Sequence, residues 1–221
     1  SIWIWEAKSD MEKIVRLRKV PYSSQLLLLG EAGGLYSMDR YDVPEVRLFR
    51  RFKKDDADGL MCTDNGKGVL VYGTSGSVSL IRTSDGKVVA RHTAPAGIRT
   101  LCQIPGTDIL ALGLKNGMIQ IVSSLKKEEH LFSGHRAGSQ GVNSLVYYQE
   151  ADLLISSGHD GRICFWDCSS FELAGTFHLF ENGFLWTTPP DGLAPEGWFW
   201  TNKKELVDVW EDGSRGTEVM D

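Results

Sequence analysis

The 221-residue sequence has little cysteine and no long apolar run. It contains four cysteines: Cys62, Cys102, Cys164 and Cys168. Their number and spacing do not fit a disulfide scaffold, so free thiols in a reducing compartment are expected. The longest aliphatic run, Leu26 to Leu29, is far shorter than the roughly 20 apolar residues of a membrane span. We therefore expect a cytoplasmic protein that does not act at a membrane.

The sequence also lacks an excess of positive charge. It has 24 Lys and Arg residues against 29 Asp and Glu residues, a net charge of -5. Such a chain has no overall field that attracts phosphate backbones, so nucleic acid is not favoured as a partner. The chain begins with Ser1 rather than methionine, which we interpret as a piece of a longer protein.

What the sequence does contain is a repeat. Four apolar runs end at Gly30, Gly73, Gly113 and Gly158, and a weaker copy ends at Thr201. A recurrence every 40 to 45 residues is typical of propellers, in which each repeat forms one four-stranded blade. Each run is followed by a short alternating segment, which indicates strands rather than helices.

These repeats predict an all-β, five-bladed β-propeller of four-stranded antiparallel blades, forming one domain over residues 1–221. The blades are placed at about 12–52, 58–94, 97–133, 141–179 and 183–211. The fifth repeat lacks an outer strand, and residues 2–6 form a strand without a blade. We expect this N-terminal strand to close the last blade, because a closed ring leaves no exposed strand edge. A larger propeller with missing blades is the alternative.

The fourth repeat resembles a WD40 repeat, a propeller unit that starts with Gly-His and ends with Trp-Asp. Here these pairs are Gly134-His135 and Trp166-Asp167. In WD40 repeats four side chains form a hydrogen-bonded chain inside the blade, and by position they are His135, Ser156, Asp160 and Trp166. The resemblance implies a structural network and a module that binds proteins or holds its parent inactive. The other repeats depart from the pattern.

The sequence offers little chemistry for an enzyme. Paired carboxylates in the central channel would be needed for glycoside hydrolysis, but Glu12, Asp58 and Glu181 lie only at strand entries. The five histidines are scattered without metal-ligand spacing. We therefore expect no catalytic residues, no metal and no cofactor.

Binding on a loop rim remains the default role of such a scaffold. On the rim formed by the loops that join blades and by the turns between second and third strands, the partner-binding candidates are Lys54, Asp56, Lys115, Asn116, Arg136, His159, Phe180 and Lys203. The sequence predicts a non-catalytic protein-interaction, sensor or autoinhibitory module. Its partner is another protein or another domain of the parent chain, and the oligomeric state stays open. The alternatives are a small-ligand or carbohydrate-binding propeller and a glycoside-type hydrolase.

Overall fold

The computed structural model describes residues 12–39, 45–123, 125, 127–136, 141–189, 198–203, 206, 209–211 and 214–216. Within these ranges the regular structure is β, apart from short 3-10 segments at Lys54–Asp56, at Gln149–Ala151 and at Leu206. In the part of the chain so described, no helix is long and apolar enough to cross a membrane.

The strands form sheets of consecutive antiparallel neighbours. Sheet 1 contains β1 (Ile14–Lys19), β2 (Leu26–Gly30), β3 (Gly34–Met38) and β4 (Val46–Arg51). Sheet 2 contains β5 (Gly59–Cys62), β6 (Gly68–Tyr72), β7 (Ser77–Arg82) and β8 (Val88–Thr93). Sheet 3 contains β9 (Ile98–Gln103), β10 (Ile109–Leu114), β11 (Met118–Ser123) and β12 (Lys127–Ser133). These three sheets extend over residues 14–51, 59–93 and 98–133.

Sheet 4 is larger. It contains β13 (Val142–Tyr148), β14 (Leu153–Gly158), β15 (Arg162–Asp167), β16 (Leu173–Phe180), β17 (Gly183–Thr187) and β18 (Phe199–Thr201). A separate two-stranded sheet pairs β19 (Val209–Glu211) with β20 (Ser214–Gly216). The predicted all-β fold with four-stranded antiparallel sheets is confirmed.

The core consists of three apolar layers, each between two successive sheets. One layer joins sheets 1 and 2, and Val69 and Val71 of β6 lie in it. Leu70, between them in sequence, lies instead in the layer shared with sheet 3. The same division recurs in β10, where Leu112 packs toward sheet 2 and Ala111 toward sheet 4. The inner sheets are buried on both faces, which explains why their strands read as continuous apolar runs.

The last repeat differs from the prediction. Residues 183–187 were expected to open a fifth blade, but β17 pairs with β16, with Phe180 opposite Gly183. Only Glu181 and Asn182 join the two strands, and a connection of two residues makes them hairpin neighbours. β18 then pairs with β17. The described residues thus form four large sheets, and no ring closure is seen among them.

The predicted closing strand, residues 2–6, lies outside the described residues. The five-blade count is therefore not confirmed. Sheets 1 and 4 each have one face that no other described sheet covers. Leu17 and Leu48 on sheet 1, and Leu179 and Trp200 on sheet 4, are exposed there. The unmatched faces lie at the two ends of the row of sheets.

Candidate functional site

Sheet 4 contains a buried chain of hydrogen bonds. The indole nitrogen of Trp166 on β15 donates to Ser156 Oγ on β14 at 2.9 Å. The same Ser156 Oγ lies 2.9 Å from His135 Nε2, and His135 Nδ1 lies 2.9 Å from Asp160 Oδ1. The structure thus brings together the four residues predicted to form the structural network, and His135, Ser156 and Trp166 are buried.

The direction of each hydrogen bond in this chain follows from the two residues at its ends, Trp166 and Asp160. Trp166 has only a donor, and an ionised Asp160 has only acceptors. His135 therefore donates from Nδ1 to Asp160, and an imidazole with one proton then accepts at Nε2. The hydroxyl of Ser156 completes the chain, because it donates to His135 while it accepts from Trp166. Among the described residues, each buried side-chain nitrogen or oxygen atom has a hydrogen-bond partner.

Two glycines fix the position of His135. The His135 N–H donates to the Gly117 carbonyl at 2.8 Å, which attaches it to the β10–β11 turn of the preceding sheet. Gly117 has a φ of 86°, which favours glycine. A Cβ atom on Gly158 would lie 2.4 Å from His135 Nδ1. The glycine at the end of β14 therefore leaves room for the imidazole.

Asp160 joins the network to the surface. Its Oδ2 accepts from the Arg136 N–H at 2.8 Å and from Nε and Nη2 of Arg162 at 2.9 and 2.7 Å. Burial alone raises the pKa of Asp160, but the hydrogen bonds from Arg136, His135 and Arg162 outweigh burial and hold the pKa of this carboxyl well below its usual range. The carboxylate stays ionised and fixes both arginines' backbones near it.

Among the residues that the structure describes, sheets 1 to 3 lack this network. Two residues before the glycine that ends the second strand, sheets 1 to 3 carry Leu28, Val71 and Ala111 where sheet 4 carries Ser156. Sheet 1 has a different arrangement, in which Glu12 occupies the space above Gly30 and accepts hydrogen bonds from the Tyr36 hydroxyl and the Gly34 N–H. The hydrogen bond from Tyr36 lowers the pKa of Glu12. Sheet 1 therefore has a glutamate and a tyrosine hydroxyl where sheet 4 has the chain from His135 to Trp166.

A cleft of about 970 Å³ opens beside the network, between the end of β12 and strands β15 and β16 of sheet 4. We call it the rim cleft, and its polar lining includes Arg136, His159, Asp160, Arg162, Thr176 and His178. The rings of His178 and Phe180 are stacked at 6.5 Å, so Phe180 continues the lining along β16. The cleft thus has a charged end and an aromatic end.

The predicted rim residues divide into two groups. Arg136 and His159 line the rim cleft, and Phe180 adjoins it. The other five lie elsewhere: Lys54 and Asp56 in the 3-10 turn before β5, Lys115 and Asn116 in the β10–β11 turn, and Lys203 after β18. Asn116 Oδ1 accepts from the Met118 N–H at 3.1 Å and so supports its own turn.

Sequence reasoning missed Arg162 and His178. Their Cα atoms are paired across β15 and β16. Only the register of this hairpin, which the structure shows, brings them together. Two of the acids considered for a hydrolase accept hydrogen bonds within the fold. Asp58 accepts from the Thr74 N–H at 2.8 Å, and Glu12 accepts from the Tyr36 hydroxyl. Glu181 lies exposed in the β16–β17 turn.

Comparison with known proteins agrees with this geometry. The sequence model of the WD40 family, described as WD domain, G-beta repeat, matches residues 126–167. TOPLESS-RELATED PROTEIN 2 of Oryza sativa subsp. japonica is 26% identical over 121 residues, 53% of this chain and 10% of that protein. Transcription factor unc-37 of Caenorhabditis elegans is 27% identical over 128 residues, 57% of this chain and 20% of that protein.

A solved structure shares the fold. The crystal structure of Saccharomyces cerevisiae Sqt1 has a TM-score of 0.67 at 12% identity, and the match covers 81% of this chain and 57% of that chain. The predicted resemblance to WD40 repeats is confirmed, with one clear repeat at residues 126–167. The chain spans only a small part of the curated relatives that it matches.

Proposed function

We propose that this chain is a non-catalytic protein-interaction module of a larger intracellular protein, and that it binds at the rim cleft. Its partner is another protein or another domain of its own parent chain. The observation that carries the proposal is the position of Asp160, which reaches from a buried hydrogen-bonded chain to two arginines of the cleft. The buried hydrogen-bonded chain thereby holds the two arginines of the rim cleft in position through Asp160.

Such an arrangement favours binding because the surface is ordered before a partner arrives. The Arg136 backbone and the Arg162 guanidinium are both held by one carboxylate. Ordering a rotamer-rich side chain on binding costs about 0.5–1.5 kcal/mol, and a side chain held in advance loses less. Aromatic residues and arginine are also enriched in protein–protein interfaces.

The relatives support the proposal by their size and sequence. The matched regions are a tenth and a fifth of the two curated proteins. We propose that this module likewise belongs to a longer chain whose other parts carry its activity. The families of WD40 propellers are in general not enzymes, which supports a binding role without catalysis.

The carbohydrate-binding alternative requires similar pockets in successive repeats. Among the described residues the set of His135, Asp160 and Arg162 occurs in sheet 4, and sheet 1 has Glu12 and Tyr36 at the corresponding place. The repeats therefore do not present equivalent pockets, and a single docking surface fits the structure better.

Affinity capture from native lysate tests the proposal. The bait is residues 1–221, and the test variant combines Arg136→Glu with Phe180→Ala. A matched control combines Lys67→Glu with Val89→Ala, which line a cleft of about 470 Å³ at the other ends of the strands of sheet 2. The proposal predicts a protein that the wild type and the control retain and the rim variant loses. Equal capture by all three baits would place binding elsewhere.

A further inference from the structure

A second cleft lies at the other ends of the strands from the rim cleft, between sheets 2 and 3. We infer that this inter-sheet cleft binds a small amphipathic carboxylate, whose apolar chain lies between the sheets and whose carboxylate lies at Lys67. The outer part of the cleft, of about 470 Å³, and its inner part, of about 340 Å³, share the lining residues Thr63, Asn65, Leu80 and Val89. The inference goes beyond the proposed function, because both the site and the class of ligand differ from those of the rim cleft.

The inner part of the inter-sheet cleft is apolar. Leu70, Leu110 and Leu125, which line it, belong to the apolar layer between sheets 2 and 3, and Leu80 and Ala90 pack against that layer. Leu125 is buried there although its φ of 56° is uncommon for leucine. A volume of about 340 Å³ lies within the usual range of small-molecule sites, about 300–1,000 Å³. An aliphatic chain would therefore be withdrawn from water among these side chains, and its burial would favour binding.

The walls of the cleft are held in place before a ligand arrives. The β5–β6 turn is tied to the β9–β10 turn, because the Asp64 N–H donates to Gln103 Oε1 at 3.2 Å and the Gly106 N–H donates to Asp64 Oδ2 at 3.1 Å. Val89 of β8 lies at a bulge in the β7–β8 pairing and is 53% exposed. Bulges of this kind re-aim a side chain and are frequent next to functional sites. The cleft is therefore largely pre-formed, as small-molecule sites usually are.

The outer part of the cleft carries the polar groups that would bind a carboxylate. Among its described lining residues none is acidic, and its two cations are Lys67 and Arg82. Arg82 is paired with Asp85 at 2.9 Å, whereas the ammonium of Lys67 forms no ion pair with any described residue. Asn65 Oδ1 accepts from the Lys67 N–H at 2.9 Å, which leaves the NH2 group of Asn65 as a donor. The Lys67 ammonium and the Asn65 amide thus offer donors to an incoming carboxylate.

Charge also determines the direction of the ligand. Asp108 is the one acidic group among the described lining residues of the inner part, where it accepts from Ser123 Oγ at 3.3 Å. A carboxylate is repelled by Asp108 and attracted by the ammonium of Lys67, so it lies at the outer end and the chain points inward. A cationic amphiphile would have to place its charge in the apolar part, beside Asp108, and its chain in the polar part. An amphipathic anion therefore matches the cleft better than an amphipathic cation.

Isothermal titration calorimetry with three eight-carbon compounds tests the inference. Octanoate, octan-1-ol and octylamine share the same chain length and are titrated separately into the protein of residues 1–221. We expect octanoate to bind at least about tenfold more tightly than the other two compounds, a difference of about 1.4 kcal/mol. Hexanoate should bind more weakly than octanoate by about fourfold for each methylene group removed.

Two substitutions test the two ends of the cleft separately. Lys67→Gln should abolish the preference for octanoate over octan-1-ol and leave the affinity for octan-1-ol unchanged. Ala90→Phe should fill the inner part and weaken octanoate binding about tenfold or more. Lys87→Gln is the matched control, because Lys87 is an exposed lysine of the same sheet outside the lining of the cleft, and it should bind octanoate as the wild type does. Melting curves show whether each variant is folded, and if Ala90→Phe is not, the result for Lys67→Gln decides.

The inference is overturned if octylamine binds as tightly as octanoate, if Lys67→Gln keeps the preference for octanoate, or if none of the three compounds binds. Equal binding of octan-1-ol would also overturn it, because the cleft would then accept any apolar group, such as a side chain of another protein.

Comparison with the capture experiment separates the two proposals. The Arg136→Glu, Phe180→Ala protein should still bind octanoate, and the Lys67→Glu, Val89→Ala protein should lose octanoate but retain the captured protein. Failure of octanoate with capture intact rejects this inference alone. Octanoate binding without any captured protein rejects the proposed function alone.

Discussion

The indole of Trp186 on β17 lies 4.8 Å from the ring of Phe165 on β15, although β16 runs between their strands. Gly175 of β16 permits this contact, since its missing side chain leaves room for the indole. Gly175 is paired with Phe165, whereas Trp186 is paired with Phe177, so the indole reaches diagonally across the glycine to the ring of Phe165. The last repeat therefore extends sheet 4 through a specific aromatic contact.

Replacing Gly175 by valine should lower stability. A Cβ atom there would lie 2.3 Å from Trp186 Cζ2, and overpacking of this kind costs about 1–3 kcal/mol. Urea unfolding measures the loss. Ala174→Val, at an exposed neighbouring position, serves as the control and should change stability by less than about 0.5 kcal/mol. Equal effects of the two substitutions would argue against the position of β17.

Ser156→Ala should strongly destabilise sheet 4. It removes the partner of His135 Nε2 and of Trp166 Nε1, and each buried group left unsatisfied costs about 1–3 kcal/mol. In a Trp166→Phe background the same substitution leaves one group fewer unsatisfied, so its cost should fall by about 1 kcal/mol or more. A double-mutant cycle in urea measures this coupling. Strict additivity would mean that the two side chains do not interact.

Asp160 should make stability depend on acid pH. Its pKa is lower in the folded than in the unfolded chain, so its carboxylate adds stability at pH values above about 3.9, and this contribution is lost as the pH falls through the folded pKa. Asp160→Asn should therefore cost about 2–3 kcal/mol at neutral pH and progressively less toward about pH 3. Unfolding free energies of both proteins, measured across this range, check the convergence. Parallel curves would contradict it.

Tyr22→Asn should raise stability slightly. Tyr22 lies in the β1–β2 turn with a φ of 58° and is 92% exposed, so the substitution removes little packing. Asparagine adopts this left-handed conformation more readily, and the expected gain is about 0.5–1 kcal/mol. Thermal unfolding measures the gain. Tyr22→Phe keeps the conformational cost and should leave the melting temperature unchanged.

Closure of the propeller has its own test. If residues 2–6 supply the outer strand of the last blade, deletion of residues 1–7 removes the apolar side chains of Ile2, Trp3, Ile4 and Trp5 from the fold. Burial of such side chains contributes about 1.5–3 kcal/mol each, so the melting temperature should fall by many degrees. An unchanged melting temperature would reject the five-blade prediction.

The period of the glycine-ending runs predicted sheets 1 to 3 and the first four strands of sheet 4. This signal is strong because each run is a second strand buried on both faces, as Val69, Leu70 and Val71 show. The same period wrongly predicted that a new blade begins at residue 183. There the apolar pattern continued, but the two-residue Glu181–Asn182 turn set the pairing, and local turn geometry outweighed the period.

The site residues that belong to a sequence motif could be predicted. The site residues that come together only through strand pairing were missed. The Gly-His and Trp-Asp pairs led to His135, Ser156, Asp160 and Trp166. Because the motif fixes the position of each of these four residues, their hydrogen bonds could be predicted from the sequence. By contrast, Arg162 and His178 meet only through the register of β15 and β16. No spacing in the linear sequence marks that neighbour relation.

Each inner sheet contributes to two apolar layers, because alternate residues of β6 and of β10 lie in different layers. The four large sheets of the described residues therefore form a series of coupled units, in which each unit is stabilised by its nearest neighbours. Loss of an end sheet removes one shared layer, whereas loss of an inner sheet removes two. Unfolding should accordingly begin at the ends and move inward. The rim cleft, which lies between sheet 3 and the terminal sheet 4, would open in its first steps.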